Sequence, residues 1–302
     1  MDGILIIDKP RGLTSHDVVL KIRHLIGESK VGHTGTLDPM ATGVLPVCMG
    51  KATKIAQYIT RKKKEYIATL KLGVTTDTLD AEGTVLEKRS THATLQDIKD
   101  VLSSFQGEIE QTPPMFSAIK HAGKRLYQRA RNGETVSRPS RRIHIFNLDL
   151  IEVHNDDLKI LVQCSPGTYI RSLAADIGET LGCGAHITAL QRTRVGQFGL
   201  EDACTLEEIE RFMKTGVLQK HIVSINDALS SLPKIRVGAA EGYRIANGAP
   251  VVRQIGFETQ TWTDEQRTIR IVGSDDTLLG LGTLEGPTSQ EEFYLKPIRV
   301  LV

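Results

Sequence analysis

The sequence predicts a mixed α+β fold: a largely antiparallel sheet flanked by helices, followed by a small β-rich module. Strand-like segments recur in pairs separated by single helices, which favours this class over strict βαβ repeats. Near residue 230 the pattern changes, because Ser-Ser-Leu-Pro (230–233) is typical of a linker and short strands follow it. With 302 residues, 40% of them hydrophobic and 25% charged, the chain can bury its cores without disulfide or metal staples. We therefore predict two domains, at 1–230 and 233–302.

Small and polar residues mark the boundaries of the first elements. An apolar run over 4–7 predicts a strand, and the spacing of apolar residues over 15–26 predicts a helix. Ser15 is the expected N-cap of this helix, and Gly27 is its expected C-cap. Glycines and prolines punctuate 31–50, which predicts a loop.

The remaining elements follow the same two periodicities. Apolar runs predict strands over 65–72, 84–88, 143–153, 158–164 and 186–198. Helices are predicted over 95–105, 169–181 and 239–246, and from a capping box at 205–208. Short strands of the β-rich module are expected over 251–256, 268–272, 278–283 and 293–295.

The composition gives no sign of a metal site, a membrane segment or secretion. The four cysteines have no CxxC or Cys/His spacing, so idle buried thiols in a reducing compartment are the better interpretation. No apolar run approaches the roughly 20 residues that span a bilayer, and the N-terminus lacks a signal-peptide pattern. We expect a soluble, cytoplasmic monomer without a metal or other cofactor.

The small net charge hides two basic blocks. Lys plus Arg number 38 against 36 Asp plus Glu, which gives +2. Between residues 111 and 142, however, Glu134 is the one acidic residue. Eight residues of this segment are basic: Lys120, Lys124, Arg125, Arg129, Arg131, Arg138, Arg141 and Arg142. A second block occupies 61–64. Single blocks are often only solvated surface, but two of them, one interleaved with Phe116 and Tyr127, indicate a polyanionic partner.

The segment 32–43, Gly-His-Thr-Gly-Thr-Leu-Asp-Pro-Met-Ala-Thr-Gly, is the most unusual in the chain. Asp38 precedes a proline, which disfavours helix and favours an extended or turn conformation. The flanking glycines allow close approach of a flat ligand, and His33 could share the same pocket. An Asx-type turn is the ordinary interpretation of an Asp-Pro pair. The residues alone leave both interpretations open.

Motifs for nucleotide, metal and redox chemistry are missing from the sequence. It contains no GxxxxGK[ST], HExxH or GxSxG motif, and no GxGxxG after a strand. An enzyme with this sequence is therefore expected to work without nucleotide energy, metal or redox cofactor. A lone carboxylate such as Asp38 could act as nucleophile or general base at an electrophilic or glycosidic centre. In a partly buried pocket such a group needs a neighbouring cation to stay ionised.

Two other segments offer partners for such a carboxylate. Gly-Thr-Tyr-Ile-Arg-Ser-Leu (167–173) supplies Tyr169 and Arg171 at the start of a predicted helix. Lys-Glu-Tyr (64–66) supplies Tyr66 on a predicted strand. Taken singly, Arg171 fits a surface ion pair and Tyr66 fits an ordinary packed aromatic residue.

Taken together, the motifs of the first 200 residues closely resemble, in order, those of the bacterial TruB family of tRNA pseudouridine synthases. The matching segments are GILIIDKP (3–10), GHTGTLDP (32–39), ATGVLP (41–46), KEY (64–66), PPMFSAIK (113–120), GKRLY (123–127), GTYIRSL (167–173), GCGAH (182–186) and LQRT (190–193). ANGAPV (246–251) resembles, more weakly, the PUA-like RNA-binding module of that family. The resemblance implies a pseudouridine synthase catalytic domain followed by a PUA-like domain.

The resemblance also implies an activity: isomerisation of uridine 55 in the T-loop of tRNA to pseudouridine. Asp38 is then the catalytic carboxylate, which either attacks the base or assists cleavage of the N-glycosidic bond at C1′. The uracil rotates and rejoins through C5. Arg171 would pair with Asp38 and orient it, and Tyr66 would lie against the base and take a proton. Tyr169 and Leu190 would line the uracil pocket.

RNA binding follows from the same resemblance. The target uridine is stacked in the T-loop, so it must be extruded before a carboxylate can reach it. Among the substrate-binding residues, His33 would contact the space left by flipped nucleotides, and Lys9 with Pro10 would support the active-site loops. The insertion 111–142 would grip the RNA loop through phosphates. The gripping residues would be Lys120, Lys124, Arg125, Arg129, Arg141 and Arg142.

Two other function classes fit parts of the sequence. A tRNA-binding or RNA-folding protein without catalysis would use the basic segments, but Asp38, Tyr66 and Arg171 argue against this as the sole role. A glycoside-type hydrolase would need a second carboxylate such as Asp80. The segment 75–83 around that residue is better interpreted as a turn between two strands. A hydrolase would release free base, whereas an isomerase leaves the RNA mass unchanged.

Overall fold

The computed structural model describes residues 1–254, 268–286 and 292–302, and all statements on structure concern these residues. The helices are α1 (Ser15–Ile26), α2 (Ala56–Thr60), α3 (Leu95–Ser104), α4 (Leu126–Arg131), α5 (Ile170–Thr180), α6 (Leu206–Thr215), α7 (Ile225–Ala228) and α8 (Ala239–Ala246). Short 3₁₀ turns cover Gly50–Ile55, Leu200–Asp202 and Leu218–His221.

The strands divide between a large N-terminal set and a small C-terminal set. The first set is β1 (Gly3–Lys9), β2 (Val31–His33), β3 (Thr42–Met49), β4 (Lys64–Leu72), β5 (Val74–Thr76), β6 (Val85–Lys88), β7 (Gly107–Gln111), β8 (Lys120–His121), β9 (Lys124–Arg125), β10 (Arg141–His154), β11 (Asp157–Cys164), β12 (Ala185–Val195) and β13 (Phe198–Gly199). The second set is β14 (Lys234–Arg236), β15 (Val251–Gln254), β16 (Thr268–Val272), β17 (Leu278–Glu285) and β18 (Glu292–Val300).

The main sheet has the strand order β1-β3-β12-β4-β11-β10-β7, with β2 beside β3 and β13 beside β12. Its neighbours are antiparallel except β3 and β12, which run parallel where Thr42 and Gly43 face Gln191 and Arg192. The predicted mixed, largely antiparallel sheet is therefore confirmed. This parallel contact brings the end of the 32–43 segment against β12.

Helices α1, α3, α5 and α6 cover one face of the main sheet and share its largest core. On β4 every second side chain, from Lys64 to Leu72, is buried, which is the period of a strand with one face in a core. A second core lies on the other face at the β1 end, and it includes Ile4, Ile6 and Val44. The flanking helices of the predicted fold class are thus present.

The C-terminal strands form a separate five-stranded sheet with the order β14-β16-β17-β18-β15. It has a small core of its own, but Leu281 and Leu301 belong to the same buried cluster as Ile4 and Ile6. The predicted strand over 251–256 is present as β15 up to Gln254, and its last two residues lie outside the described part of the chain. The β-rich module is thus packed on the main sheet.

The N-cap of α1 is Thr14, so the assignment of Ser15 was wrong. The Thr14 hydroxyl accepts a hydrogen bond from the Asp17 amide, and the Asp17 carboxylate accepts one from the Thr14 amide. This capping box satisfies two helix-end donors at once. Gly27 ends the helix in the left-handed conformation, as predicted (φ 64°). Ser15 is buried and has a different function in the loop that carries Asp38.

The prediction of a loop over 31–50 was also wrong, because β2 and β3 lie within it. Seven of the eight residues of β3 are buried, so the strand lacks the alternation that marks a half-exposed strand. Gly43 is required at its start: it has φ 100°, and a Cβ there would lie 2.2 Å from the Arg192 carbonyl oxygen. The glycine that suggested a loop therefore marks a close contact between strands.

Candidate active site

An open cleft of about 1390 Å³ lies beside the ends of β2, β4 and β12 and the start of α5. It is lined by the loop after β2, the turn near residue 80, the basic segment around 116–131 and residues 166–171. Asp38, Tyr66 and Arg171 all line it, although they come from distant parts of the sequence. The sheet thus brings the predicted site residues to one place.

Arg171 and Asp38 form a two-pronged ion pair on the floor of this cleft. The Arg171 Nε lies 3.0 Å from one carboxylate oxygen of Asp38, and Nη2 lies 3.3 Å from the other. The Arg171 side chain is 5% exposed, whereas that of Asp38 is 33% exposed. Nη2 donates a hydrogen bond to Asp38, whereas Nε lies close to the other oxygen without the geometry of a hydrogen bond, so charge attraction makes up the second contact. Asp38 therefore presents a held carboxylate to the open cleft.

The same guanidinium connects three separate segments of chain. Its Nη1 donates to the Thr78 carbonyl oxygen (2.8 Å), and Nη2 donates to the Phe116 carbonyl oxygen (2.7 Å). Nη1 also lies 3.4 Å from a carboxylate oxygen of Asp80. Arg171 occupies the first turn of α5, whose apolar face is buried in the main core, so its backbone cannot shift freely. A rigid helix thus positions the cation.

Asp80 is a member of this site that the sequence interpretation missed. Its side chain is only 7% exposed and faces Arg171, whereas the sequence suggested an ordinary turn. One carboxylate oxygen accepts hydrogen bonds from the Thr78 hydroxyl (2.6 Å) and the Glu82 amide (3.1 Å). The turn is real, but it points a carboxylate inward. Arg171 therefore stands between two carboxylates, of which only Asp38 is substantially exposed.

Lys9 and Ser15 hold the loop that carries Asp38 from beneath. The Lys9 ammonium donates to the carbonyl oxygens of Leu13 (2.7 Å), Pro10 (2.9 Å) and Pro39 (3.3 Å). Ser15 donates to the Leu37 carbonyl oxygen, and its own oxygen accepts from the Leu37 amide (2.8 Å). Lys9 is fully buried and does not line the cleft, so it contacts the loop and has no position from which to bind substrate there, contrary to its prediction as a substrate-binding residue.

Two further buried cations, Arg192 and Lys64, lie behind this loop. Arg192 is 1% exposed and donates to the carbonyl oxygens of Val44 (2.7 Å), Gly35 (3.1 Å) and Thr36 (3.5 Å). Lys64 donates to the carbonyl oxygens at the end of α2 and in the turn after it (2.7 and 2.9 Å). Burial lowers the pKa of Lys64 to about 8, and the Arg192 charge acts in the same direction.

The basic block at 61–64 therefore does not act as one surface. Lys64 is buried, and Lys62 donates a hydrogen bond to the Ser231 hydroxyl in the predicted linker. The Lys63 ammonium lies over the ring of Phe146, 3.7 Å from its centroid. Three of the four charges thus have a local structural contact, which weakens the interpretation of this block as a phosphate-binding surface.

Tyr66 and Leu190 form the strand wall of the cleft. Tyr66 is 6% exposed, and its cross-strand neighbour on β12 is Arg192. Burial raises the pKa of Tyr66, while the charge of Arg192 acts in the opposite direction. Leu190 is 7% exposed and lines the cleft. A planar ligand would meet one phenol and one apolar side chain on this wall.

His33 lines the cleft next to the loop that carries Asp38. Burial lowers the pKa of His33, as does the nearby charge of Arg192, which favours the neutral imidazole. Its Nδ1 is buried and has no hydrogen-bond partner within the described residues. A buried ring nitrogen without a partner is costly to the fold. The part of His33 that a ligand could meet is the part of the ring that lines the cleft.

Tyr169, on the opposite side of the cleft, is held by both ends of the basic insertion. The Gln111 side chain accepts a hydrogen bond from the Tyr169 amide (2.8 Å) and donates one to its carbonyl oxygen (3.0 Å). The Arg141 guanidinium lies 4.8 Å from the centre of the Tyr169 ring and donates to the Gly167 carbonyl oxygen (2.6 Å). Gln111 is buried and was not identified from the sequence, because its type gives no signal.

The other predicted RNA-gripping residues are distributed unevenly. Lys120 and Arg125 line the cleft, and Arg131, which was not selected, lines it as well. Arg129 instead forms an ion pair with Glu134 (2.7 Å). Arg142 lies 3.3 Å from Glu108 and is highly exposed, and Lys124 lies on the exposed hairpin of β8 and β9. The cleft rim is therefore basic mainly at positions 120, 125 and 131.

The chemistry available to this arrangement is that of one carboxylate with a phenol beside it. Asp38 can attack an electrophilic carbon or assist loss of a leaving group, and Tyr66 can exchange a proton. No group of three or more metal-binding side chains occurs in the described residues, and no helix there is long and apolar enough to cross a membrane. The four cysteines are free and buried, as expected.

Two family models match the chain. The TruB family pseudouridylate synthase (N terminal domain) model matches residues 23–170, which include the 32–39 motif, Tyr66 and the start of α5. The tRNA pseudouridylate synthase B C-terminal domain model matches 171–230, which adds β12 and the rest of α5. Together they cover the whole candidate site except Lys9 and Ser15.

Curated relatives match over most of their length. The tRNA pseudouridine synthase B of Clostridium kluyveri is 41% identical over 302 residues, which is all of both chains. That of Bacillus cytotoxicus is 45% identical over 267 residues, 86% of this chain and 87% of the relative. That of Francisella philomiragia is 51% identical over 212 residues, 70% of each chain.

Solved structures agree in fold over nearly the whole chain. The crystal structure of a Cbf5-Nop10-Gar1 complex contains a chain with a TM-score of 0.76 and 29% identity, matched over 99% of this chain and 85% of that one. A structure of an H/ACA RNP bound to a substrate RNA containing 2′-deoxyuridine gives a TM-score of 0.75 and 28% identity, with 99% and 85% coverage. Because relatives and family models agree along its length, the chain belongs to the TruB family of pseudouridylate synthases, which are isomerases.

Proposed function

We propose that this protein isomerises uridine 55 in the T-loop of tRNA to pseudouridine, with Asp38 as the catalytic carboxylate. The observation that carries the proposal is the two-pronged pair of Arg171 and Asp38 on the floor of an open cleft. Family membership supports pseudouridylation, and the names of the relatives, tRNA pseudouridine synthase B, support tRNA as the substrate.

Asp38 acts at one of two centres in this proposal. It attacks the base, or it assists cleavage of the N-glycosidic bond at C1′, and in both routes the uracil rotates and rejoins through C5. Arg171 holds the carboxylate oriented towards the cleft. Tyr66 lies against the base and exchanges a proton, and Tyr169 and Leu190 line the uracil pocket. The new carbon–carbon bond is the more inert one, so the reaction needs no energy input.

The target uridine is extruded from the T-loop before it reacts. A stacked base cannot approach a carboxylate on the floor of a cleft, so the enzyme must flip it out. His33 contacts the space that the base leaves, and its place in the cleft lining supports this assignment. The cleft of about 1390 Å³ is large enough for a flipped nucleotide and part of its loop.

The RNA backbone binds along the basic rim of the cleft and the C-terminal sheet. Lys120, Arg125 and Arg131, which line the cleft, contact phosphates, and Lys124 adds charge farther out. Arg129 and Arg142 contribute less, because each forms an ion pair with a glutamate. The C-terminal β-rich module, 233–302, acts as a PUA-like RNA-binding domain for the acceptor end, and 1–230 is the catalytic domain. The protein acts on tRNA as a monomer in this proposal. Four buried thiols suit the reducing cytoplasm.

The experiment uses transcribed tRNA, purified wild-type protein and Asp38→Asn, without ATP and with a chelator present. Pseudouridine is mapped by carbodiimide modification and primer extension. We expect one stop in the T-loop with the wild type and a loss of more than about 1000-fold in the variant, with tRNA binding retained. Native gel electrophoresis measures that binding.

Other outcomes distinguish the rival functions. Binding without any modification by the wild type would favour a tRNA-binding or RNA-folding protein and leave Asp38 as a turn residue. A decrease in RNA mass by one uracil would favour the hydrolase, with Asp38 and Asp80 as its two carboxylates. A stop at a different nucleotide would contradict the assignment to position 55 alone.

A further inference from the structure

Three cations, Lys9, Lys64 and Arg192, are buried around the loop 33–39, and none of them has a carboxylate partner within the described residues. A buried charge without a counterion is costly and needs a reason. The two lysines can relieve this cost by losing a proton, because burial lowers the pKa of each to about 8. Arg192 cannot, because a guanidinium stays protonated in proteins.

Arg192 also differs from the two lysines in its position. It lines the cleft, and Tyr66 is its cross-strand neighbour between β12 and β4. Three backbone carbonyl oxygens accept from its nitrogens, but they carry only partial charges. The groups that act electrostatically on Tyr66 are Arg192 from β12, Cys164 from β11 and Asp38 from the loop. Among these Arg192 supplies the positive charge.

The proposed reaction creates a short-lived negative charge at this point. Once C5 has joined C1′, the ring still carries hydrogen on C5 and lacks one on N1. The Tyr66 hydroxyl gives its proton to N1 and becomes a phenolate. The phenolate then takes the proton from C5. The electron pair of the C5–H bond forms the C5=C6 double bond, and the π pair of the C6=N1 bond moves onto N1. Tyr66 ends as it began, so protons and electrons balance.

We infer that Arg192 is a positioning residue that holds Tyr66 and stabilises its transient phenolate during transfer of the C5 proton to N1. This inference rests on the proposed function. Arg192 acts through Tyr66 and need not touch the base. The phenolate is the missing anion of the buried guanidinium, and it exists only during this step. A permanent carboxylate partner would cancel the charge that the step requires.

Two modified RNAs separate this role from simple support of the loop. Deuterium at C5 of the target uridine slows removal of that proton alone. Fluorine at C5 cannot leave as a proton does, so the reaction stops after the C5–C1′ bond forms. Loss of the fluorinated uridine therefore reports every step before the proposed action of Arg192.

The variants are Arg192→Met, Arg192→Lys and the control Arg194→Met, compared in single-turnover reactions. Arg194 lies on the same strand but forms a surface ion pair with Glu201 (2.6 Å). The Arg194→Met variant therefore shows whether loss of any arginine from β12 slows the reaction. Thermal unfolding and tRNA binding are measured for each. Arg192→Lys keeps the charge and serves if the methionine variant does not fold.

We expect Arg192→Met to form pseudouridine about 100-fold more slowly, in the range of a lost proton-transfer contribution. Its deuterium isotope effect should exceed that of the wild type, and it should consume fluorinated RNA at the wild-type rate. Arg192→Lys should recover part of the rate, and Arg194→Met should match the wild type.

Equal slowing on normal and fluorinated RNA, with no larger isotope effect, would overturn the inference and leave Arg192 as a loop support. Equal slowing of Arg192→Lys on both RNAs, with no larger isotope effect, would also overturn the inference. If the wild type forms no pseudouridine at all, the proposed function fails first. The two failures are therefore distinguishable.

Discussion

At the scale of single residues, the site depends on one guanidinium shared by two carboxylates. Arg171 contacts Asp38 in the cleft and Asp80 behind it, and Asp80 is itself held by hydrogen bonds within its turn. The charge on Asp80 therefore helps to fix where the guanidinium lies, and so where Asp38 points. A residue that never meets the substrate can control the reaction in this way.

Replacing Asp80 by Asn tests this dependence. The amide oxygen can still accept from the turn, but the charge facing Arg171 is lost, so we expect kcat to fall about 100-fold with little change in KM. Single-turnover rates and tRNA affinity measure the two effects. Asp77→Asn, at an exposed position of the same turn, is the control. An unchanged kcat for Asp80→Asn would remove Asp80 from the site.

The buried lysines predict a dependence of stability on pH. Below pH 8 both native and unfolded chains carry the Lys64 proton, and the buried charge lowers stability. Between pH 8 and 10.5 the native state releases the proton while the unfolded state keeps it, because burial lowers the native pKa of Lys64 to about 8. The free energy of unfolding should therefore rise with pH in this window, by up to about 1.4 kcal/mol per pH unit for this lysine.

Chemical denaturation of the wild type and Lys64→Met across pH 7 to about 10.5 measures this contribution. The difference between the two proteins isolates Lys64 from other groups that titrate in the same range. Lys63→Met, at the exposed neighbour, is the control. A difference that stays constant with pH would mean that Lys64 keeps its proton in the native state.

At the scale of elements, the start of α1 combines a cap with a loop support. Thr14 caps the helix, and the next residue, Ser15, binds both backbone groups of Leu37 beside Asp38. One turn of helix thus fixes its own end and the loop that carries the proposed catalytic residue.

Ser15→Ala should therefore lower activity more than stability. It removes both hydrogen bonds to Leu37 and lets the loop move, so we expect kcat to fall about tenfold or more. Thr94→Ala, which removes the same kind of capping box from α3 far from the cleft, should cost about 1 kcal/mol of stability and leave kcat unchanged. The kinetics and thermal unfolding of both variants are measured. A Ser15→Ala variant with the same kinetics as the wild type would contradict a role for Ser15.

Elements with clear periodicity could be predicted from the sequence, and those buried on both faces could not. The cap of α6 and the bounds of α8 follow from side chains whose hydrogen bonds are local. Strand β3 was missed because its residues are buried on both sides and its glycine is required by a neighbouring strand. That requirement is tertiary and leaves no local pattern.

The same distinction separates the site residues. Asp38, Tyr66 and Arg171 stand in motifs that resemble a family, and the structure brings them to one cleft. Asp80 and Gln111 could not be recognised, because an acidic turn and a single glutamine are common on protein surfaces. Only the fold shows that the first faces Arg171 and that the second holds the backbone of the residue before α5.

At the scale of the whole molecule, the two sheets share a buried cluster. Leu281 of the C-terminal sheet belongs with Ile4 and Ile6 of the main sheet, whereas Leu295 belongs to the small core of the C-terminal sheet alone. Both leucines are fully buried. Loss of the Leu281 side chain should weaken the contact between the two sheets, and loss of the Leu295 side chain should weaken the C-terminal sheet alone.

We expect Leu281→Ala to cost about 2–5 kcal/mol and to accelerate amide hydrogen exchange in β1 as well as β17. Leu295→Ala should accelerate exchange in β15 and β18 and leave β1 protected. Hydrogen exchange with mass spectrometry resolves these segments. Protection of β1 that survives Leu281→Ala would show that the sheets open independently.

The contacts of Arg171 also determine when the site can exist. Its partners Asp38, Thr78 and Phe116 lie 133, 93 and 55 positions before it in the sequence. During synthesis the growing chain therefore carries its proposed nucleophile long before the helix that orients it. Contacts of such separation form late in folding, because long loops must close first. Competence for catalysis should consequently appear as one of the last events of folding, after most secondary structure, and an incomplete chain should have no activity.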